Sequence, residues 1–193
     1  DKTTFHERDW LVNQVGPRII DKIDHEREWR ARTGHDAGAA SLAMARAFIA
    51  AGTTRIRSHV DVDTEAGTAH VERVLQTRAA MDGLQEIQIV AFPQSGILGR
   101  QGTEAALDAA LAMGADIVGG LDPCAIERDP VKHLNIVFGL AEKHAKPVDI
   151  HLHEPGAMGA FSLELILERT SALGMQGKVV VSHAFCLGDS AER

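Results

Sequence analysis

Two imidazoles and a carboxylate fall within four residues at His151-Leu152-His153-Glu154, directly after the strand-like run Val148-Asp149-Ile150. Side chains alternate along a strand, so His151 and His153 point to the same side. Imidazole is the commonest transition-metal ligand and titrates near neutrality, so this segment suits metal binding or proton transfer. It is not the start of an HExxH helix, because position 157 is Ala and the segment reads as a strand. Further on, the apolar run Lys178-Val179-Val180-Val181-Ser182 ends in His183. Histidines at the ends of successive parallel strands can converge on one site, and that points to an enzyme.

Other polar residues fall at comparable places. Arg57-Ser58-His59-Val60-Asp61-Val62-Asp63 alternates, so His59, Asp61 and Asp63 share a face, either as site residues or as a polar strand end packed on loops. Gln94 and Asp122 each follow an apolar run. Gly96, Gly99 and Gly102 make a GxxGxxG after a strand, which is not the dinucleotide fingerprint and reads as a flexible loop. There is no P-loop and no GxSxG elbow. Cys186 has no local feature that would lower its pKa and reads as an inert thiol. His6, His25, His35, His70, His133 and His144 lie in helices or loops and read as surface residues.

The elements that must position these side chains form a repeat. Strand-like runs occur at Thr54–Val62, Ile87–Phe92, Asp116–Gly119, Pro147–His151 and Lys178–His183, spaced by roughly the thirty residues of a βαβ unit. Between them lie the helical stripes Val71/Val74/Leu75, Leu107/Ala110/Leu111, Leu134/Val137/Phe138/Ala141 and Leu163/Ile166/Leu167. Gly114, Gly174 and Gly177 mark helix stops. Upstream, Arg18–Arg32 is a charged helix candidate and Asp36–Ala51 an Ala-rich one. The near-continuous apolar strands are those of a parallel sheet covered on both faces. Strict β-α alternation allows an open doubly wound sheet or part of a (β/α)8 barrel, whose full form needs about 250 residues. Every strand delivers chemistry-type side chains at its C-terminal end, which favours the TIM-barrel lineage: a partial α/β barrel with about five parallel strands visible.

The 193 residues suit a single domain, with 1–52 an N-terminal helical segment and 53–193 the βα units. The net charge of −7 and the lack of a basic, aromatic-interleaved cluster argue against nucleic acid. No apolar run is long enough for a bilayer and no signal peptide is visible, so neither a membrane partner nor export is expected. Cys124 and Cys186 form no CxxC and read as thiols of a reducing compartment, hence a cytoplasmic protein. The absence of an initiator Met suggests a piece of something longer.

Taken as a set, RSHVDVD (57–63), IVAFPQSGIL (89–98), GADIVG (114–119), DIHLHE (149–154) and VSHA (181–184) resemble the cytosine-deaminase branch of the amidohydrolase superfamily. Gly119-Gly120-Leu121-Asp122-Pro123 is similar to the members of that branch that degrade s-triazines. The resemblance implies a metal-dependent hydrolase acting on a non-peptide C–N bond of a nitrogen heterocycle, of cytosine or s-triazine type, with one divalent metal per site, Zn2+ or Fe2+. On that pattern His151, on the family's fifth strand, is a metal ligand. Glu154 is the carboxylate that shuttles a proton between the attacking water and the ring, and His183, on the sixth, holds the water or assists proton transfer. Gln94, on the third, hydrogen-bonds the ring's amide-like edge, a task suited to a side chain that both donates and accepts. His153 takes a supporting role. The partner implied is a small heterocyclic substrate; a homo-oligomer is also common in the family.

The resemblance also implies what this stretch does not contain. Asp1-Lys2-Thr3 matches the family's stretch just after an HxH metal pair on strand one, and the last ligand, an Asp on strand eight, would follow Arg193. Strands two to six are then present, with one ligand of about four, and such a chain on its own would be inactive. The rival readings are a non-catalytic binding or assembly domain, an inactive fragment of the enzyme, and a complete five-stranded doubly wound domain. Strand order separates the last of these from the barrel.

Overall fold

A computed structural model describes Gly16 and residues 18–189. Asp1-Lys2-Thr3 and His6 lie outside them. Two helices, α1 (Ile19–Thr33) and α2 (Ala37–Ala50), precede five strands that alternate with helices. These are β1 (Arg55–Asp61), α3 (Ala69–Ala80), β2 (Glu86–Phe92), α4 (Thr103–Met113), β3 (Ile117–Leu121), α5 (Pro130–His144), β4 (Val148–Leu152), α6 (Gly156–Ala172), β5 (Val179–His183) and the short α7 (Cys186–Asp189).

The strands pair in chain order, β1-β2-β3-β4-β5, and every pairing is parallel. A doubly wound sheet reverses its order at a switch point, so the doubly wound alternative is excluded. The sheet also curls. Neighbouring strands lie about 4.8 Å apart, so β1 and β4 would be roughly 14 Å apart in a flat sheet. Instead the Arg57 Nη1 atom of β1 lies 2.9 Å from the Asp149 Oδ2 atom of β4. Side chains from the first and fourth strands meet across a concave face, as in a barrel wall.

The two faces differ in chemistry. Ile87, Ile89 and Ala91 of β2, with Val118, Val148 and Ile150, pack outward with the buried stripes of α3, α4 and α5. On the concave side Val90, Phe92, Ile117 and Leu121 form a smaller apolar cluster with Ile23 of α1. Beside that cluster the face is polar: Arg57 and His59 of β1, Asp149 and His151 of β4 and Ser182 of β5. The expectation of strands apolar on both faces therefore holds for β3, which is buried throughout, but not for β1, β4 and β5. In β3, Gly119 is required by close approach: a Cβ there would lie 2.5 Å from the Ala91 carbonyl oxygen.

The helices form for local reasons. Asp36 caps α2 by accepting from the Gly38 and Ala39 amides, and Ser41 of α2 meets Thr77 of α3 through a 2.6 Å hydroxyl pair. Asp129 caps α5 by accepting from the Lys132 amide, with Pro130 opening the helix. Helix α1 turns Ile23 and Trp29 inward and places Arg30 on Asp61 at the end of β1. Two expectations need correction. Leu167 of α6 is exposed, the buried line running through Gly159, Ser162 and Ile166 instead, one position round the helix. His133 is fully buried in α5 rather than on the surface, because Glu127 and the Leu121 amide satisfy both ring nitrogens. His25, His35, His70 and His144 are half-buried.

Two alanine substitutions test this packing in opposite directions. Gly119→Ala should lower the denaturation midpoint, costing about 1–3 kcal/mol through overpacking. Gly139→Ala, at an exposed helical position of α5 with no atom near its added Cβ, should raise it by about 0.5–1 kcal/mol.

Candidate active site

The period-2 alternation of β4 puts Asp149 and His151 on the concave face, with His153 just past the strand end. Register carries the next strand to the same level, since His151 pairs with Ser182 and Leu152 with His183. Curl brings β1 across to them. The ring of His59 lies 4.4 Å from that of His151, that of His183 4.7 Å from His151, and that of His153 stacks on His183 at 4.4 Å. Phe92 of β2 closes one side, its ring 4.5 Å from His151. Four imidazoles from β1, β4 and β5 thus share one end of the half-barrel.

Asp149 organises the base of the cluster. Its side chain is 1% exposed, and it accepts from Arg57 at 2.9 Å and from the Ser182 hydroxyl at 2.8 Å. The Nε2 atom of His59 stands 3.5 Å away, a long contact. Burial works to raise its pKa, but the surrounding His59, Ser182 and Arg57 outweigh it and hold the carboxyl at about 2. His151 moves the other way for an imidazole. Burial, then the neighbouring His59 and His183, push its pKa down to about 3, so at neutral pH it is an uncharged ring with a free lone pair. Burial and His153 also lower His183.

His153 is held more firmly than its supporting role in the sequence reading suggested. Its backbone amide donates to Asp122 Oδ1 at 2.6 Å, and its Nδ1 lies 2.8 Å from Asp122 Oδ2. A carboxylate here can only accept, so Nδ1 carries a proton and the neutral ring has its lone pair on Nε2. A carboxylate behind an imidazole is the usual way of fixing a ligand histidine. Asp122 itself is buried with φ +33°, and His183 has φ +71°; both are left-handed conformations that non-glycine residues adopt uncommonly.

The other expected residues are placed less centrally. Glu154 is buried, and its Oε1 accepts from the Cys124 and Ala125 amides at 2.7 Å each, while Oε2 accepts from the Ser162 hydroxyl. Its carboxylate therefore ties β4 to the turn after β3 and to α6. Gln94 stands half-buried in the turn after β2. Asp61 and Asp63, which share the β1 alternation with His59, serve the fold: Asp61 pairs with Arg30, and Asp63 accepts from the Glu65 and Ala66 amides. Cys124 and Cys186 form no disulfide, and Cys186 is buried.

Sequence reasoning passed over Asp149 and Asp122 as partners of the histidines. Asp149 had a signal, being a carboxylate inside an apolar run two residues before His151 and so on its face. Asp122 had none beyond its strand-end position, because its pairing with His153 spans 31 residues.

Among the described residues two groups could hold a metal ion, His151/His153/His183 and His59/Asp149/His151, with ligand atoms within 4.8 Å of one another in each. His151 belongs to both. Asp149 is already engaged by Arg57 and Ser182, whereas the three imidazoles include one with a fixed tautomer and one held neutral. By donor chemistry this set fits a divalent transition metal. No helix among the described residues is long and apolar enough to cross a membrane.

No protein-family model matches the chain. Individual proteins do. It is 38% identical over 139 residues to the N-isopropylammelide isopropyl amidohydrolase of Pseudomonas sp. (strain ADP), covering 72% of this chain and 34% of that protein. The crystal structure of N-isopropylammelide isopropylaminohydrolase from Burkholderia multivorans is 64% identical and superposes with a TM-score of 0.88 over 95% of this chain and 47% of that one. Over most of its length the chain is thus similar to part of two N-isopropylammelide hydrolases. The 5-methylcytosine deaminase of Klebsiella pneumoniae, liganded with phosphonocytosine, is 29% identical with a TM-score of 0.71, over 83% of this chain and 40% of that one. These similarities agree with the resemblance drawn from the sequence motifs, and they show the partial-barrel fold. The chain spans less than half the length of each of these relatives.

His151 and Asp149 contribute to the acid response of the metal-free protein in a defined direction. Between its ordinary 6.5 and about 3, His151 is protonated in the unfolded chain and not in the folded one. The unfolded state then binds more protons, so stability falls as pH drops through that window. Asp149 adds stability that is complete above its ordinary 3.8 and lost as pH falls towards about 2. Urea midpoints across pH 7 to 3 should decline, and His151→Asn should flatten the upper part of the decline; an unchanged slope would count against a neutral His151.

Proposed function

We propose that this chain is the strand-two-to-six part of a metal-dependent amidohydrolase that hydrolyses an exocyclic C–N bond on a nitrogen heterocycle, of s-triazine or cytosine type. The observation that carries the reading is the meeting of His151, His153 and His183 at one strand end, with His151 neutral and His153 tautomerically fixed, in a chain homologous to triazine and cytosine hydrolases. The exposed Val180, Phe185 and Leu187 on and after β5 support a barrel wall that continues in a longer protein.

His151 is the ligand this segment contributes to a Zn2+ or Fe2+ centre, with His153 and His183 close enough to assist. The cation supplies the Lewis acidity that activates water for attack on a ring carbon. His183, at the rim, holds that water or carries a proton through its ring nitrogen. Glu154 moves a proton between water and ring once its carboxylate exchanges a hydrogen bond to the Cys124–Ala125 turn for one to substrate. Gln94 reads the amide-like edge of the ring, donating to its C=O and accepting from its N–H. Alone, this segment holds part of the ligand set and is inactive.

In an intact barrel containing this segment, Glu154→Gln should lower turnover of N-isopropylammelide about 10²- to 10⁴-fold while metal content stays at one per site. Unchanged turnover would remove Glu154 from the chemistry. His151→Ala should reduce bound metal, read by elemental analysis, and full retention would take it out of the ligand set.

A further inference from the structure

The most heavily enclosed carboxylate–imidazole pair of the described residues outside the histidine cluster joins Glu127 and His133, with side chains 1% and 0% exposed. Nothing in the proposed chemistry uses either. Glu127 lies in the segment between β3 and α5, yet its carboxylate reaches the turn after β2. Oε1 accepts from the Ile97 amide and Oε2 from the Leu98 amide at 2.8 Å. Oε1 also meets His133 Nδ1 at 3.1 Å. The other ring nitrogen of His133 takes a long 3.4 Å bond from the Leu121 amide, so Nε2 accepts and Nδ1 carries the proton. That ring fits because Gly120 has no side chain, where a Cβ would stand 3.1 Å from Nε2.

The turn so held is the one that carries Gln94. On its other side the Ser95 hydroxyl donates to Asp63 Oδ2 at 3.3 Å, and Asp63 is itself fixed by the Glu65 and Ala66 amides. The turn is therefore held just after Gln94 by two carboxylates, Asp63 from the segment after β1 at Ser95 and Glu127 from the segment after β3 at Ile97 and Leu98. The glycine-rich segment expected to be a flexible loop is pinned, with Ile97 buried and Gly96 turning at φ +84°. Surface turns ordinarily leave such amides to water. Enclosing a carboxylate to hold them is costly unless its hydrogen bonds are complete, and here three donors complete them. The same pair grips Leu121, directly before the Asp122 that orients His153.

We propose that Glu127, braced by His133, is a positioning residue for ring recognition, fixing the 93–98 turn and so the Gln94 amide. The inference rests on the reading of Gln94 as the ring-binding amide. Glu127→Gln keeps the volume but sets an N–H2 group against a backbone N–H, releasing one end of the turn.

The test is calorimetric titration of N-isopropylammelide into a metal-free intact barrel containing this segment and into its variants, with thermal melting to verify folding. Gln94→Ala and Glu127→Gln should each weaken binding by about tenfold, the scale of one hydrogen bond. The double variant should bind no more weakly than Gln94→Ala, because the two act through one group. Where Glu127→Gln does not melt cooperatively, His133→Gln takes its place in the cycle. Wild-type affinity in the folded single variant, or fully additive losses in the double, overturns the positioning role while leaving Gln94 intact. No binding by the wild type, or no loss in Gln94→Ala, overturns the Gln94 reading and the inference with it.

Discussion

Asp149 is a carboxylate that the fold encloses almost completely, and an enclosed carboxylate must be paired. Its partners come from two other strands: Ser182 from the adjacent β5, and Arg57 and His59 from β1, three strands away. Satisfying it requires the sheet to curl until the first and fourth strands face each other. It also requires the registers that bring His59, His151 and Ser182 level. The same curl aims the strand ends at one point, so the constraint that neutralises a buried charge is the constraint that assembles the histidines.

The cluster above it separates charge from ligation. Asp149 keeps its negative charge down to about pH 2 and is bonded to Arg57, while His151, two residues on, stays neutral far below its ordinary range. A neutral imidazole is the form that binds metal. Asp122 plays for His153 the part that Asp149 plays for His59 and Arg57, with the added effect of choosing which ring nitrogen is free. Buried carboxylates thus orient the side chains and backbone around them, and none of the three, Asp149, Asp122 and Glu127, needs to touch substrate to do so.

Much of the architecture was legible because it is local. The periodic stripes of α3, α4 and α5 rest on interactions within a few residues, and with the roughly thirty-residue spacing of strands they gave the β-α alternation from which, with the polar strand ends, the partial barrel was read. The α6 stripe was misread by one position, since hydrophobicity alone did not distinguish Leu167 from its buried neighbours. His133 was misread because its partners, Glu127 and the Leu121 amide, make a histidine in a helix acceptable in a core, and helical spacing carries no sign of that.

By itself the sequence determined the strand ends, the same-face relation of His151 and His153 and the lineage, for alternation and motif order are written along the chain. Only the tertiary structure decided which side chains meet. It drew His59 to His151 across β2 and β3, held His153 through Asp122, turned Glu154 into the Cys124–Ala125 turn, and made the Gln94 turn a clamped one. Each of these pairs residues about thirty or more positions apart, and for His59 and His151 the distance depends on how far the sheet curls. That curl is a property of the whole parallel sheet and its buried carboxylates, and no short stretch of sequence encodes it.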